Sequence, residues 1–328
     1  MRGPRTNAPG GVLAQLSLAI VAAVAVGPAV LAQDDAAPDD IHVMHVQGKV
    51  YMLHTPAGNM TVQAGDDGLL LVDALGAVPA QQLYARIAPL SEKPIQYIVD
   101  THAHASHTGN NARLAALGRS VFGGNVAGVV DARVLDSSAK IVAHENVLIS
   151  MSTQEPARDF EDWPTDVFYV DRKELFFNGE GVQIFHQPAA HSDGDSIVYF
   201  RRSDVISTGD IFRSHEFPLI DTGGSVEGVI DALNTVLDLA LPARMQEGGT
   251  MIIPGRGRLC DEADVLEYRD MVVIVRDRIQ HLIDQGQSLR QVQAARPTLG
   301  YDWQYGRANE DWTGEDFVEA VYRDLSAR

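Results

Sequence analysis

The chain has 328 residues, a formal net charge of −18 and a single cysteine, Cys260. That length supports one large domain or two small ones with an ample core. The acidic balance argues against nucleic acid or an anionic lipid surface as a partner, and the lone cysteine excludes an internal disulfide, so any metal must be held by His and carboxylate.

Residues 1–32 read as a secretory signal: Arg2 and Arg5 are basic, an apolar run spans 12–26, and Ala32 closes a small-residue site before Gln33-Asp34-Asp35. The apolar run is broken by Gly27-Pro28 and is short for a membrane span. The expected location is therefore periplasmic or secreted, with no stable membrane association after cleavage. No cysteine at the cleavage site supports lipid attachment. Residues 33–40 are acidic and rich in Pro and Ala, a flexible leader.

Four short strands follow at 41–45, 50–53, 60–64 and 69–73, separated by Gly-rich turn signals, and predict an antiparallel meander. Residues 79–90 have a helical period, with Leu83, Ile87 and Leu90 on one face. A strand at 95–101 then runs into a His-rich loop, and a helix is expected at 111–117. Residues 118–138, with Gly123-Gly124-Asn125, read as an inserted loop close in sequence to the histidines. A strand at 140–143 leads into a helix at 145–152, and Trp163-Pro164 marks a break.

The second half repeats the order. Strands at 174–177, 182–187, 196–200 and 205–207 precede a helix at 226–240, a short strand at 251–253 and a long helix at 262–285. Strands followed by helices, twice, predict a two-sheet core with helices outside, an α/β four-layer αββα sandwich over residues 41–287. Residues 288–328 add two helices, at 289–295 and at 313–327 with Phe317, Val318, Val321 and Leu325, as a C-terminal helical extension packed on that domain.

The chemistry gathers at strand ends. His102, His104 and His107 lie within six residues just past an apolar strand. His102 and His104 are two apart, so on an extended backbone they face the same way, whereas His107 comes off the following turn. Neutral imidazole is a common zinc ligand. Four further polar groups follow apolar strands: His191 in 188–196, Asp210 in Ser207-Thr208-Gly209-Asp210, the run Pro254-Gly255-Arg256-Gly257, and Asp73.

Taken together, in this order, these motifs resemble the metallo-β-lactamase superfamily across nearly the whole mature chain. The resemblance implies the αββα fold and a zinc site made by His102, His104 and His191. It places Asp210 between two metal sites and His107 in the second, with Asp73 hydrogen-bonding the His loop from behind.

The chain departs from the family pattern twice in one place. Ser106 stands where the family has Asp, and Arg256 where it has His. Serine is a poor zinc ligand and arginine a permanent cation, so the second site is expected to be empty, with one zinc ion per chain. Arg256 is expected to pair with Asp210 in place of the missing ion; decay of an unused site is the alternative.

The resemblance implies a zinc-dependent hydrolase in which a zinc-bound hydroxide attacks a small carbonyl substrate: a β-lactam, lactone, ester or thioester. Asp210 is then the remaining carboxylate for proton handling and His107 a proton relay. The rival is a non-catalytic or weakly active protein that keeps one metal for structure or ligand binding. Among the other residues, His54, His144 and His186 read as structural, Asp193 and Asp195 as turn residues, and His215-Glu216 as a pair that could line the pocket.

Overall fold

The computed structural model describes Gly3 and residues 40–119, 138–245, 248–306 and 312–327. The expected signal, nearly all of the leader and most of the 118–138 insertion lie outside the described residues.

The first sheet opens with an antiparallel meander: β1 (His42–Gln47), β2 (Val50–Thr55), β3 (Gly58–Gly65) and β4 (Gly68–Val72). Helix α1 (Ala80–Ile87) then crosses to β5 (Ile95–Val99), which pairs parallel to β4. Short helices α2 (Ala105–Thr108) and α3 (Asn111–Leu117) follow, then β6 (Lys140–His144), α4 (Glu145–Thr153) and β7 (Asp166–Phe168), each strand parallel to the one before. The sheet runs β1 to β7 in sequence order.

The second sheet is antiparallel through β8 (Arg172–Phe177), β9 (Glu180–Gln187), β10 (Asp195–Phe200) and β11 (Val205–Ser207). Helix α5 (Val226–Leu239) returns the chain to β12 (Met251–Ile253), parallel to β11 at the edge. The chain ends in α6 (Glu262–Asp284), α7 (Leu289–Ala294), α8 (Asp302–Tyr305) and α9 (Gly314–Ser326).

β4 shows why these layers form. All five residues of Gly-Leu-Leu-Leu-Val are buried, as a strand covered on both faces requires. With a period of two, Leu69 and Leu71 join Leu83, Ile87 and Leu114 beneath the helices. Leu70 and Val72 join Val198, Phe200 and Ile253 between the sheets. On the far side of the second sheet, Ile197 and Ile206 pack with residues of α5, α6 and α9. Three apolar layers therefore separate four structural layers, the αββα arrangement.

Helix α9 places Phe317, Val318, Val321 and Leu325 in the same core as α5 and α6. The C-terminal helices thus complete the outer layer of the second sheet, and residues 36–328 form one unit. The long helices are closed at their starts by side chains: Ser225 caps α5, and reciprocal Asp261–Asp264 and Thr313–Asp316 boxes cap α6 and α9.

Three elements were not expected from the sequence. β7 is three residues, too short to display a period, and α2, within the expected His loop, and α8 are each a single turn. β8 also begins at Arg172, two residues before the expected start, on residues whose burial alternates.

If Leu70 is one of the side chains joining the sheets, Leu70→Ala should cost about 2–5 kcal/mol. A urea unfolding midpoint that falls with an unchanged slope would show this. An unmoved midpoint would show that the inter-sheet layer does not depend on it.

Candidate metal centre

β4, β5, β11 and β12 deliver their C-terminal ends to one edge of the sandwich. β4 ends at Asp73, whose φ of +67° lies in the left-handed region, where Asp is better tolerated than most residues. Its buried carboxylate accepts from the Thr101 N–H at 2.8 Å and the Thr101 hydroxyl at 2.9 Å, and from His107 Nδ1 at 2.8 Å.

The Thr101 hydroxyl has one proton, and gives it to Asp73. Its oxygen therefore accepts from His102 Nδ1, 3.0 Å away. This places the His102 proton on Nδ1 and the lone pair on Nε2, a buried atom without a hydrogen-bond partner.

The same device recurs at the two other rings. His191, in the turn between β9 and β10, directs Nδ1 at Asp195 Oδ1 (3.2 Å), and Asp195 Oδ2 is held by the Ser192 N–H at 2.5 Å. His191 Nε2 is again buried and unpartnered. His104 gives Nε2 to Asp221 Oδ2 at 2.7 Å, which leaves Nδ1 as its lone-pair atom. Carboxylates or hydroxyls behind a ring that fix its tautomer are the usual outer partners of metal-ligating histidines.

One donor atom from each of His102, His104, His191 and Asp210 lies within 4.8 Å of the other three. His102 and His191 are wholly buried, and Asp210 nearly so. Only the His104 side chain is open, at 34% exposure. Three buried acceptor atoms, His102 Nε2, His191 Nε2 and Asp210 Oδ1, have no well-directed donor. Clustered lone pairs that nothing in the protein satisfies are costly unless a cation takes them. Three imidazoles and a carboxylate suit zinc. The donor set fits a metal ion.

The electrostatics follow from burial and charge. Burial, with His107 and His191 nearby, lowers His102 well below the ordinary range, so the ring is neutral and fit for ligation. Burial opposes protonation of His191, but the Asp195 carboxylate outweighs it and raises that ring. Burial alone would raise Asp210; His107 and Arg213 outweigh it and hold the carboxyl well below its usual range. The hydrogen bond from His104 lowers Asp221 to about 2.

His107 differs from the other three. Nδ1 faces Asp73 and Nε2 lies 3.3 Å from Asp210 Oδ1. Burial would lower its pKa, but the two carboxylates raise it to about 10. It lies buried between two carboxylates, hydrogen-bonded through Nδ1 to Asp73 and in an ion-pair contact through Nε2 with Asp210.

The expected pair between Arg256 and Asp210 does not form. Asp210 is served by His107, with Arg213 as the nearby guanidinium. The neighbour of Arg256 explains its placement. Gly255 packs against Asp210 so closely that a Cβ there would sit 2.2 Å from Oδ1, and the next residue is carried past the carboxylate. The Arg256 backbone bridges that of Arg213, and the residue lines a separate small pocket with His54, His215 and Glu216. The Ser106 hydroxyl, in the first turn of α2, has no hydrogen-bond partner among the described residues.

A cleft of about 410 Å³ opens over the exposed side of the cluster. His102, His104, Asn146, Ile149, Asp193 and Asp221 are among the residues that line it. His144 and His186 are structural to this wall. Their rings stack at 3.5 Å, His144 accepts from the Asn146 N–H at the start of α4, and His186 Nε2 contacts the Asp193 carbonyl at 2.8 Å.

Sequence reasoning missed Thr101, Asp195, Asp221 and Arg213. Asp195 had a signal in its place at the head of β10, four residues after His191, but was read as a turn residue; it does hold the Ser192 N–H, and it also orients His191. Thr101 shows in the sequence only as the end of a strand. Asp221 and Arg213 belong to no motif.

The chain matches the family model described as the metallo-beta-lactamase superfamily over residues 55–244. No curated protein matches it. Among solved structures it is similar to the stereoselective inverting sec-alkylsulfatase Pisa1 from Pseudomonas sp., with TM-score 0.66, 16% identity, and 86% of this chain and 50% of that one covered. This chain therefore spans half the length of that relative. It is also similar to the metallo-beta-lactamase from Pontibacter korlensis (TM-score 0.54, 14% identity, covering 71% and 98% of the two chains) and to DIM-1 metallo-beta-lactamase (0.51, 13%, 71% and 97%). At these identities the likeness is one of fold. The matched segment holds every residue of the cluster just described, and the chain belongs to the metallo-beta-lactamase superfamily.

Proposed function

We propose that the protein is an exported hydrolase of small carbonyl compounds that works with a single zinc ion held by His102, His104 and His191, with Asp210 beside them. The observation that carries this reading is the fixing of three tautomers. Thr101, Asp221 and Asp195 each occupy one nitrogen of a ring and leave the other to a common point. A bound zinc ion supplies Lewis-acid polarisation of an oxygen and lowers the pKa of water.

The chain's own groups do the rest. Asp210, kept ionised beside the three rings, is the carboxylate that would handle a proton. His107 is hydrogen-bonded to Asp73 and stands 3.3 Å from Asp210 Oδ1, an ion-pair contact that keeps Asp210 ionised. The cleft of about 410 Å³ is within the range for small-molecule sites. Its substrate is a β-lactam, lactone, ester or thioester; the fold leaves the choice open. Ser106 and Arg256, which replace two ligand types with a poor ligand and a permanent cation, support one ion rather than two. Export rests on the signal pattern of residues 1–32.

Elemental analysis of the purified mature protein should find about one zinc per chain, lost in His102→Ala. A panel of β-lactam, lactone, ester and thioester substrates should show turnover that disappears with the metal. Two ions per chain would overturn the single-site reading. A folded, metal-free protein without turnover would favour a non-catalytic role.

Thr101→Val should weaken zinc affinity about 10–100-fold, because the orientation of His102 is lost. Competition with a chelator reads this directly. A lower unfolding midpoint with unchanged affinity would show that Thr101 only supports the fold.

A further inference from the structure

The small pocket beside the metal centre holds a cation that the protein does not use. Arg256 has no hydrogen-bond or ion-pair partner for its side chain among the described residues, and its Nε is buried. Burying a guanidinium N–H without an acceptor is unfavourable; no described residue supplies one, and Arg256 as a whole is only partly buried.

The rest of the wall does not neutralise it. The one carboxylate there, Glu216, is in an ion pair with the buried Arg213. Asp210, on the other side of Gly255, is served by His107. His54 gives Nδ1 to Asn59 Oδ1 at 2.8 Å, an assignment fixed because the Asn59 amide donates to the Pro254 and Gly257 carbonyls. His215 is exposed at the rim. Arg213 Nε is a second buried guanidinium N–H with no acceptor in this region.

The pocket measures about 190 Å³, below the usual range for a whole ligand. It has room for a small charged group. A guanidinium presents parallel N–H donors that match the two oxygens of a carboxylate. The cleft over the metal centre, by contrast, has no Lys or Arg among its described lining residues.

We propose that the pocket formed by Arg256, His54, His215 and the Gly58 and Gly257 backbone binds a carboxylate group. Two sources share this chemistry: a carboxylate carried by the hydrolysed substrate, or a free small carboxylic acid. The first source rests on the hydrolase reading; binding at the pocket does not.

The test has two arms. In the first, acetate is titrated into zinc-loaded wild type and Arg256→Gln while the ring signals of the pocket histidines are followed by NMR. Saturable shifts at His54 and His215 in the wild type are expected, weakened about 10–100-fold in Arg256→Gln and partly restored in Arg256→Lys. In the second, two esters that differ only in a remote carboxylate are compared. If the substrate is the source, the ratio of KM for the acidic ester to KM for the neutral one should rise about 10–100-fold in Arg256→Gln. Saturable acetate binding with an unmoved ratio assigns the pocket to a free acid. A lack of turnover fails the hydrolase reading and leaves the first arm to decide the pocket. No acetate shifts and no change of ratio, in variants whose unfolding midpoints match wild type, would overturn the proposal.

Discussion

The structure of the metal centre depends on one buried carboxylate. Asp73 stands at the end of a strand covered on both faces, in a left-handed backbone conformation, and binds both Thr101 and His107. Through Thr101 it sets the tautomer of His102; through His107 it reaches Asp210. A buried anion is tolerable only when fully paired, and here the pairing also orients the ligands. The two ends of the first sheet's contribution, one before and one after β5, are thereby locked together.

The remaining donors extend the same logic to the second sheet. Asp195 orients His191 from the head of β10, and Asp221 orients His104 from a loop that precedes α5. Each ring has an oxygen behind it, and each oxygen comes from a different element. The cluster is thus an agreement among four strand ends and one loop, held by sheets whose shared apolar layer leaves them little freedom to shift.

Much of this was legible in the sequence, for physical reasons. The four-layer fold shows itself because β4 is apolar throughout, β5 is apolar at most positions and the helices are apolar on one face. The three histidines and Asp210 show themselves because they follow apolar runs. What could not be read was the set of partners. Thr101 and Asp195 are ordinary residues at strand ends, and Asp221 is 117 residues from the His104 it holds. The pairing of Arg256 with Asp210 was argued from charge balance alone, which says that two groups suit each other but not that the backbone brings them together. His107 filled that role, and the close packing of Gly255 carried Arg256 elsewhere.

The unequal burial of the cluster gives it a closed back and an open front. His102, His191 and Asp210 are sealed, while His104 and its partner Asp221 face the solvent. Among the described residues the cluster therefore meets solvent through His104, and the approach is lined by two carboxylates, Asp193 and Asp221. The contact that steadies His104 thus also places negative charge at the open side of the cluster.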